Sequence, residues 1–352
     1  MCHKCKFFTA EEAYSGVLAL DATMVKAVKV SEIAQIARSE IRLRNFLLKS
    51  WKETTDSAIK KASAEIQKKT TKKKIISLIE KEMNTWENAT EGVFEKEITN
   101  TYRLGKIAGT KRANGKKTKT GYGKKEIKSI AKANTFDITF TEEDEAAIRT
   151  LLEHQLYWVG DFYDDNLSEA ISQIVEETIE EQGFGTVLSG KILSENLAEA
   201  FGYINVPDGY NGTAQQYFES LAANTITVAR SYGVLRSFSE HGITRYEITN
   251  PSDNRTCERC DHLNGKSFSV EQGVSQMEAV LAADDKEGVK SAHPWLSFKQ
   301  LKGISSTPGK LTGKAGLSDS EALSNAGVSL PPFHFRCRCS IDIAEESIHF
   351  EE

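Results

Sequence analysis

The stretch DNRTCERCDHLNGK at residues 253–266 places Cys257 and Cys260 in a C-x-x-C turn. Far along the chain, residues 331–339 read PPFHFRCRC and add three further candidate ligands, His334, Cys337 and Cys339. A C-x-x-C turn lets two thiolates point at one ion, because the intervening backbone folds back with its amides toward the sulfurs. A tetrahedral ion needs four ligands, and the two stretches offer more than that. They predict one metal site that joins distant parts of the chain.

Several uses of these side chains are open. We interpret them as a structural Zn²⁺ site bound by Cys257, Cys260, Cys337 and either His334 or Cys339, because a surplus of ligands is typical of a closed site. Buried free thiols or a disulfide pair are one alternative, which a reducing compartment disfavours. A catalytic zinc is another, but it would need a coordination position open to water and a general base in a cleft.

An HNH-type nuclease is a further alternative, because polar residues surround the C-x-x-C turn, among them Asp253, Asn254, His262 and Asn264. Such enzymes need a histidine base beside a metal-binding acid on a hairpin. His262 follows Asp261 without that context, so we interpret it as a surface or turn residue. No pair of carboxylates and no Cys/His nucleophile arrangement can be assigned to one site, and we expect no enzymatic activity.

Composition and charge bound the class of protein. The chain has 352 residues, enough for two or three parts, and its contents of 39% hydrophobic and 27% charged residues are typical of a soluble, helix-rich protein. No run approaches about 18 uninterrupted apolar residues, so we expect no membrane contact. Glu11 and Glu12 stand where an export signal would have its apolar core, which favours a reducing cytoplasm and metal binding over disulfides.

Apolar residues at helical spacing predict an N-terminal helical region, residues 1–100, and a helical middle, residues 141–240. Thr141 and Asp144 make a capping-box-like start for the middle region. The N-terminal stretch Cys2-His3-Lys4-Cys5 could bind a second ion, but it lacks two further nearby ligands. We interpret it as an exposed chain end.

The segment between these regions, residues 101–140, is predicted to be a flexible basic linker rich in Gly and Lys, because glycines interrupt the helical periodicity. On a flexible backbone, lysines and arginines can contact DNA through its phosphates without base specificity. A solvated linker is the alternative. The candidate DNA-binding residues are Arg103, Lys106, Lys111, Arg112, Lys116, Lys117, Lys119, Lys124, Lys125, Lys128 and Lys132.

Residues 241–352 are predicted to form a small zinc-stapled α+β end, with a polar surface insertion at 284–329. Alternating and β-rich patterns indicate three strands, at 243–249, 266–270 and 339–344. The strong apolar residues of the insertion, which we expect to anchor it locally, are Trp295, Leu296 and Phe298. The predicted fold class is therefore α+β and predominantly helical.

These motifs closely resemble the signature of the phage Mu F-like minor head proteins. The resemblance is carried by residues 253–266 and 331–339, and residues 229–233 with 241–243 are similar to the family's lead-in to that signature. It covers about residues 141–344. The chain departs from the family pattern in the long separation of the two halves and in residues 335 and 336, Phe and Arg, where the family often has Pro-Asn.

The resemblance implies a minor structural protein of a tailed-phage head, present in few copies near the portal. It implies a role in head morphogenesis or in handling packaged DNA, with portal, capsid or scaffold proteins as partners. The place of action would be the head interior of the virion, after assembly in the host cytoplasm. The alternative that the sequence leaves open is a zinc-stapled DNA-processing enzyme, a nuclease of phage origin.

Overall fold

Long helices make up most of the chain. The computed structural model describes residues 27–68, 70–119, 138–162, 165–206, 210–254, 256–309 and 319–344. The helices that precede the C-terminal sheet are α1 (Ala27–Ile66), α2 (Lys72–Lys119), α3 (Glu142–Phe162), α4 (Asp165–Gln182), α5 (Val187–Gly202) and α6 (Ala214–Glu240). Within the described residues, no helix combines the length and the apolar character needed to cross a bilayer.

The described strands form two small antiparallel sheets. One is the pair β1 (Tyr203–Val206) and β2 (Tyr210–Thr213), and the other has three strands in the order β4-β3-β5. The elements that build the C-terminal part are β3 (Arg245–Thr249), α7 (Glu258–Leu263), β4 (Ser267–Ser269), α8 (Val270–Leu281), α9 (Lys286–Ala292), α10 (Phe298–Ile304), α11 (Ser320–Asn325) and β5 (Ser340–Ile343). The predicted class, α+β and predominantly helical, is confirmed.

The chain divides into two compact units, each built from non-adjacent segments. We call them the metal unit, which comprises Met1–Glu40, Glu97–Leu151 and Ala223–Glu352, and the helical unit, which comprises Ile41–Lys96 and Leu152–Ala222. The sequence predicted four consecutive regions instead. The difference arises because α1, α2, α3 and α6 each contribute residues to both units.

Aromatic side chains form the core of the helical unit. The ring centroid of Trp51 lies 5.0 Å from that of Trp86 and 5.7 Å from that of Phe218. The indole N–H of Trp51 also donates to the carbonyl oxygen of Phe201 at 3.2 Å, so its polar group is satisfied inside the core. The long apolar stripes of α1 and α2 thus find partners within this unit.

In the metal unit, α2 runs straight through the first half of the predicted linker. A Cβ at Gly105 would overlap the carbonyl oxygen of Arg230 on α6, and one at Gly109 would lie 2.7 Å from the Cβ of Ser237. Gly233 on α6 faces the carbonyl oxygen of Tyr102 in the same way. These glycines permit close helix packing. The prediction of a flexible segment beginning at residue 101 is therefore wrong up to residue 119, and residues 120–137 lie outside the described part of the chain.

The three-stranded sheet buries one face of β3. Tyr246 and Ile248 alternate with half-buried neighbours and are fully buried, as the alternating pattern predicted. Tyr246 pairs with Phe268 of β4 and with Ile343 of β5. Its hydroxyl donates to the carbonyl oxygen of Ser329 at 2.9 Å, which ties the segment before the second ligand stretch to the sheet.

The predicted surface insertion at 284–329 is partly a packed structure. Leu301 of α10 and Leu323 of α11 are 1% and 0% exposed. The side-chain oxygen of Gln276 on α8 accepts from the backbone N–H groups of Ser329 at 2.8 Å and Leu330 at 3.1 Å. The helices α10 and α11 therefore contribute to the core, whereas α9 buries no residue. The sequence pattern missed all three because each is only six or seven residues long.

Candidate metal centre

The first ligand pair lies at the start of α7. Cys257 is the residue before the helix, and Cys260 lies in its first turn. The preceding turn is held by Asn250, whose side-chain amide donates to the Cys260 carbonyl oxygen at 3.1 Å and whose backbone N–H donates to Asn264 at 3.0 Å. Side-chain hydrogen bonds of this kind favour Asn in turns. They fix the C-x-x-C turn directly after β3.

The second group of ligands lies in the loop that enters β5. The backbone N–H of Cys337 donates to the carbonyl oxygen of His334 at 3.1 Å, which closes a tight turn. The hydroxyl of Thr227 on α6 donates to the Cys337 carbonyl oxygen at 3.3 Å and holds that turn against the helix. Because Thr249 at the end of β3 pairs with Ser340 at the start of β5, the sheet brings both ligand groups to the same end of these strands.

All five sequence-predicted ligands converge there. The Sγ of Cys260 lies 3.0 Å from Nε2 of His334 and 3.8 Å from Sγ of Cys337, and the Sγ of Cys257 lies 3.2 Å from the same Nε2. Two ligand groups result, Cys257 with Cys260 and His334, and Cys260 with Cys337 and Cys339, and either could hold a metal ion. Two thiolates at about 2.3 Å from a tetrahedral ion are about 3.8 Å apart, as Cys260 and Cys337 are.

The cluster is closed to solvent. The five ligand residues are between 2% and 6% exposed. The four cysteines are free thiols without a disulfide among them, so the disulfide alternative finds no support in this part of the chain. Burial of every ligand is typical of structural sites, whereas a catalytic ion keeps a position open to water.

A hydrogen bond fixes the tautomer of His334. Its Nδ1 lies 2.6 Å from the carbonyl oxygen of Phe335, and since a carbonyl only accepts, Nδ1 must carry the hydrogen. In the neutral ring, Nε2 then presents its lone pair to the two nearest sulfurs. A backbone carbonyl that orients a histidine in this way is a usual feature of metal sites.

The electrostatics of the cluster also favour a cation. Cys257, Cys337 and Cys339 form hydrogen bonds that raise the pKa of the Cys260 thiol, and burial raises it further. Burial alone would raise the pKa of Cys337 too, but hydrogen bonds from Cys260 and Cys339 outweigh it, so this pKa is lowered. Sulfurs this close cannot all ionise without a compensating positive charge. A divalent ion at their centre would supply it.

An ion pair that the sequence did not reveal bridges the two ligand stretches. The guanidinium of Arg338 donates to both carboxylate oxygens of Asp253, at 2.7 and 2.6 Å. Such two-pronged contacts fix orientation as well as distance. Asp253 lies four residues before the first ligand, and Arg338 lies between the last two, so the pair aligns the two halves. In the sequence, the one signal for this ion pair is that charged residues stand near the cysteines in both stretches.

The aromatic anchor predicted within the insertion lies beside the cluster. The rings of Trp295 and Phe335 meet edge to face with centroids 4.5 Å apart. The carbonyl oxygen of Leu296 accepts from Arg259 of α7 at 3.1 Å. The insertion is thereby connected to both ligand stretches.

His262 is not a surface residue, contrary to the sequence interpretation. It is 4% exposed, and its Nε2 donates to the carbonyl oxygen of Ser305 at 2.9 Å. Burial lowers the pKa of His262 and is the largest influence on it. A buried neutral imidazole that donates to a backbone carbonyl connects α7 to the end of α10. It does not have the setting of a nuclease base.

Lys106 is removed from the candidate DNA-binding set. Its side chain is 4% exposed, and its Nζ forms ion pairs with Asp144 at 2.5 Å and with Glu240 at 2.7 Å. Tyr102 donates to the same Asp144 carboxylate at 2.9 Å. The sequence-based assignment of Lys106 was wrong, because nothing in the composition of a lysine-rich segment indicates that one of its lysines is buried. It connects three helices of the metal unit.

The other basic candidates have different settings. Arg112 is half-buried and donates to the carbonyl oxygen of Ile341 at 3.1 Å, whereas Arg103 is exposed, with its guanidinium 4.9 Å from the centre of the Phe140 ring. Lys111 is exposed on α2. Lys116, Lys117 and Lys119 lie on α2 without a described side chain. Outside the described residues lie Lys124, Lys125, Lys128, Lys132 and the N-terminal Cys2-His3-Lys4-Cys5 stretch.

Comparison with known proteins does not assign the chain to a family. No family model matches the sequence, and neither a curated protein nor a solved structure is significantly similar to it. The class that fold and site define is a predominantly helical protein with a buried Cys/His cluster able to hold a metal ion.

Proposed function

We propose that this chain is a non-enzymatic structural protein of a tailed-phage head, of the Mu F-like kind, whose metal unit is stapled by one structural Zn²⁺. The observation that carries the proposal is the convergence of the two signature stretches, 253–266 and 331–339, on one buried cluster. Because these five ligand residues meet in space, metal binding accounts for the cysteines and the histidine of the two stretches. Portal, capsid or scaffold proteins are the proposed partners, in the head interior after assembly in the host cytoplasm.

Zinc is the ion that suits these ligands best. Thiolate and imidazole ligands in a tetrahedral arrangement favour Zn²⁺ over the hard cations Mg²⁺ and Ca²⁺, which take oxygen ligands. A closed Cys/His site contributes folding free energy, because the unfolded chain has no preformed site. The small sheet of the metal unit has three to five residues per strand, and a cross-link between its first and last strands compensates for its limited size.

We also propose that the basic segment binds DNA through phosphates without base specificity. The set that supports this is smaller than the sequence suggested, because Lys106 is ion-paired and Arg112 is bound to the backbone of β5. Exposed Arg103 and Lys111 remain, together with the lysines from 116 to 132. Affinity that falls steeply with added salt and hardly varies with sequence is the expected behaviour.

Mass spectrometry of purified phage particles, encoded by the same genome as this chain, tests the head role. We expect the chain in particles or assembly intermediates at low copy number. Its absence from both would overturn the head role without affecting the zinc assignment.

Incubation of the purified protein with plasmid DNA and Mg²⁺ or Mn²⁺ tests the enzyme alternative. Nicking that disappears in a Cys257→Ser variant would replace the structural proposal by a nuclease.

A further inference from the structure

A surface beside the metal centre carries aromatic and basic side chains that the cluster does not use. They come from α7, from the segment around α10 and from the ligand loop before β5. We call this surface the aromatic-basic face, and its members are Arg259, Trp295, Lys299, Lys302, Phe335 and Arg336. All six are at least partly exposed.

Direct contacts place the first part of this face together. The Trp295 and Phe335 rings are 4.5 Å apart at an angle of 72°. Arg259 donates to the carbonyl oxygen of Leu296, the residue after Trp295, at 3.1 Å. Arg336 directly follows Phe335. Arg259 therefore lies close to the aromatic pair in space, and Arg336 follows it in the chain.

A second set of contacts extends the face along α10. His262 of α7 is buried and packs against α10. Its ring meets that of Phe298 edge to face at 5.8 Å, and the ammonium of Lys302 lies 5.5 Å over the Phe298 ring. Lys299 is one turn before Lys302 on the same helix. These contacts join α7, which carries Arg259, to α10, which carries both lysines.

Two of the three stretches that form this face carry basic but no acidic residues. Residues 293–309 contain two lysines, and residues 326–339 contain two arginines, and neither stretch has an Asp or Glu. One of those arginines, Arg338, is engaged with Asp253. Glu258 and Asp261 flank Arg259 on α7, so the excess of positive charge belongs to α10 and to the ligand loop before β5.

The backbone at Arg336 adds an independent sign of function. Its φ of +59° lies in the left-handed region, which glycine adopts without strain and a long side chain does not. A residue kept in such a conformation where glycine would relax it points to a use for the side chain. Arg336 stands between Phe335 and the ligand Cys337 in the chain.

We propose that the aromatic-basic face binds single-stranded nucleic acid. The basic side chains contact successive phosphates, and one base stacks on the Trp295 and Phe335 pair, without base specificity. Aromatic rings separate this ligand from an acidic polypeptide, which would need the cations alone. The inference goes beyond the proposed head role, because it depends neither on that role nor on the basic segment at residues 103–132.

Fluorescence anisotropy of a labelled oligo(dT) tests the face on the full zinc-loaded chain. The face variant replaces Arg259, Lys299, Lys302 and Arg336 with Gln. A matched control removes the same charge from exposed lysines elsewhere, namely Lys49, Lys52, Lys60 and Lys191. We expect at least a tenfold loss of affinity in the face variant, with a log–log salt dependence shallower by about 0.7 for each phosphate that the variant no longer neutralises. The control should bind within about twofold of wild type.

Two single substitutions separate binding from folding. Trp295→Leu is expected to weaken oligo(dT) binding at least about fivefold, since stacking contributes roughly 1 kcal/mol or more per base. Arg336→Gly should weaken binding while Tm stays equal or rises, because glycine relieves the left-handed backbone. Zinc content measured on each variant verifies that the metal centre persists.

The proposal is overturned if the face variant binds like the control, if Trp295→Leu binds like wild type, or if poly-glutamate competes as well as oligo(dT). Should the face variant lose its zinc, photo-cross-linking of a 4-thiothymidine oligonucleotide to the wild type replaces it. Cross-links on peptides that contain Trp295 or Phe335 support the face. Cross-links confined to residues 103–132 would assign all binding to the basic segment and contradict the face, while the DNA part of the proposed function would survive.

Discussion

His334 and Cys339 are alternative fourth ligands of the proposed zinc. His334 lies near Cys257 and Cys260, and Cys339 belongs to the group with Cys260 and Cys337. Cys260 is common to both groups, so it has no substitute. The surplus ligand means that loss of His334 or of Cys339 can be compensated by the other, whereas loss of Cys260 cannot.

Ligand variants test this directly. Single variants His334→Ala and Cys339→Ser are expected to retain about one zinc per chain, because each leaves Cys257, Cys260 and Cys337 with a fourth ligand, whereas Cys260 belongs to both ligand groups. Cys260→Ser and the double variant should retain far less and lose the folded metal unit. Zinc is measured by elemental analysis after gel filtration, and folding by near-ultraviolet circular dichroism. Loss of zinc in either single variant would show that the fifth ligand is not a substitute.

Asp144 links stability to pH. Burial alone would raise the pKa of Asp144, but hydrogen bonds from Lys106, the Thr141 backbone and Tyr102 outweigh it and hold the pKa below its ordinary value of 3.8. A carboxyl whose pKa is lower in the folded chain stabilises it above the unfolded pKa, and this stabilisation is lost as pH falls through the folded pKa. The contribution is therefore complete at neutral pH and disappears below pH 3.8.

An Asp144→Asn variant checks the sign. At neutral pH we expect it to lower the free energy of unfolding by about 3 kcal/mol, since it removes one partner of a buried ion pair while Glu240 remains with Lys106. The difference from wild type, measured by urea denaturation, should shrink as pH falls below 3.8. Glu145→Gln, exposed on the same turn, should change stability by less than about 0.5 kcal/mol. A difference that does not depend on pH would contradict the assignment.

At the scale of elements, α2 and α6 depend on glycines that face each other's backbone. Gly105 meets the carbonyl oxygen of Arg230, and Gly233 meets that of Tyr102. Two helices approach this closely only where side chains are absent. Loss of helix propensity at these glycines, roughly 1 kcal/mol each, is the cost of that approach.

Gly105→Ala is expected to destabilise the metal unit by about 2–3 kcal/mol, because its Cβ overlaps a backbone atom that cannot rotate away. Gly92→Ala on the same helix is the matched control, since nothing lies within 4 Å of its Cβ. It should stabilise the chain by up to about 1 kcal/mol through helix propensity. Denaturation curves of both variants give the comparison. An equal effect of the two substitutions would mean that α2 and α6 do not pack this closely.

At the scale of the whole molecule, sequence predicted what is periodic or chemically distinctive. The fold class, the helices, the strands around the C-x-x-C turn and the five ligands follow from apolar spacing and ligand chemistry, and all five ligands meet. The Thr141 and Asp144 capping box is also confirmed, by hydrogen bonds of 3.2 and 3.0 Å.

The features that sequence missed depend on contacts between distant residues. Gly105 and Gly109 suggested flexibility because a single sequence does not show that another helix lies against them. Lys106 and His262 suggested solvent exposure because their partners, Asp144 and the Ser305 carbonyl, are far away in the chain. Tertiary contact decided these cases against local propensity.

Zinc stoichiometry combined with thiol titration tests the metal staple most directly. The protein is purified without added metal, in a Cys2→Ser/Cys5→Ser background that leaves the four cysteines of the cluster as its only thiols. The expected result is about one zinc per chain, with these thiols unreactive in the native state and all reactive after chelation. Well under one zinc per chain, with the four thiols freely titratable in the native protein, would contradict it.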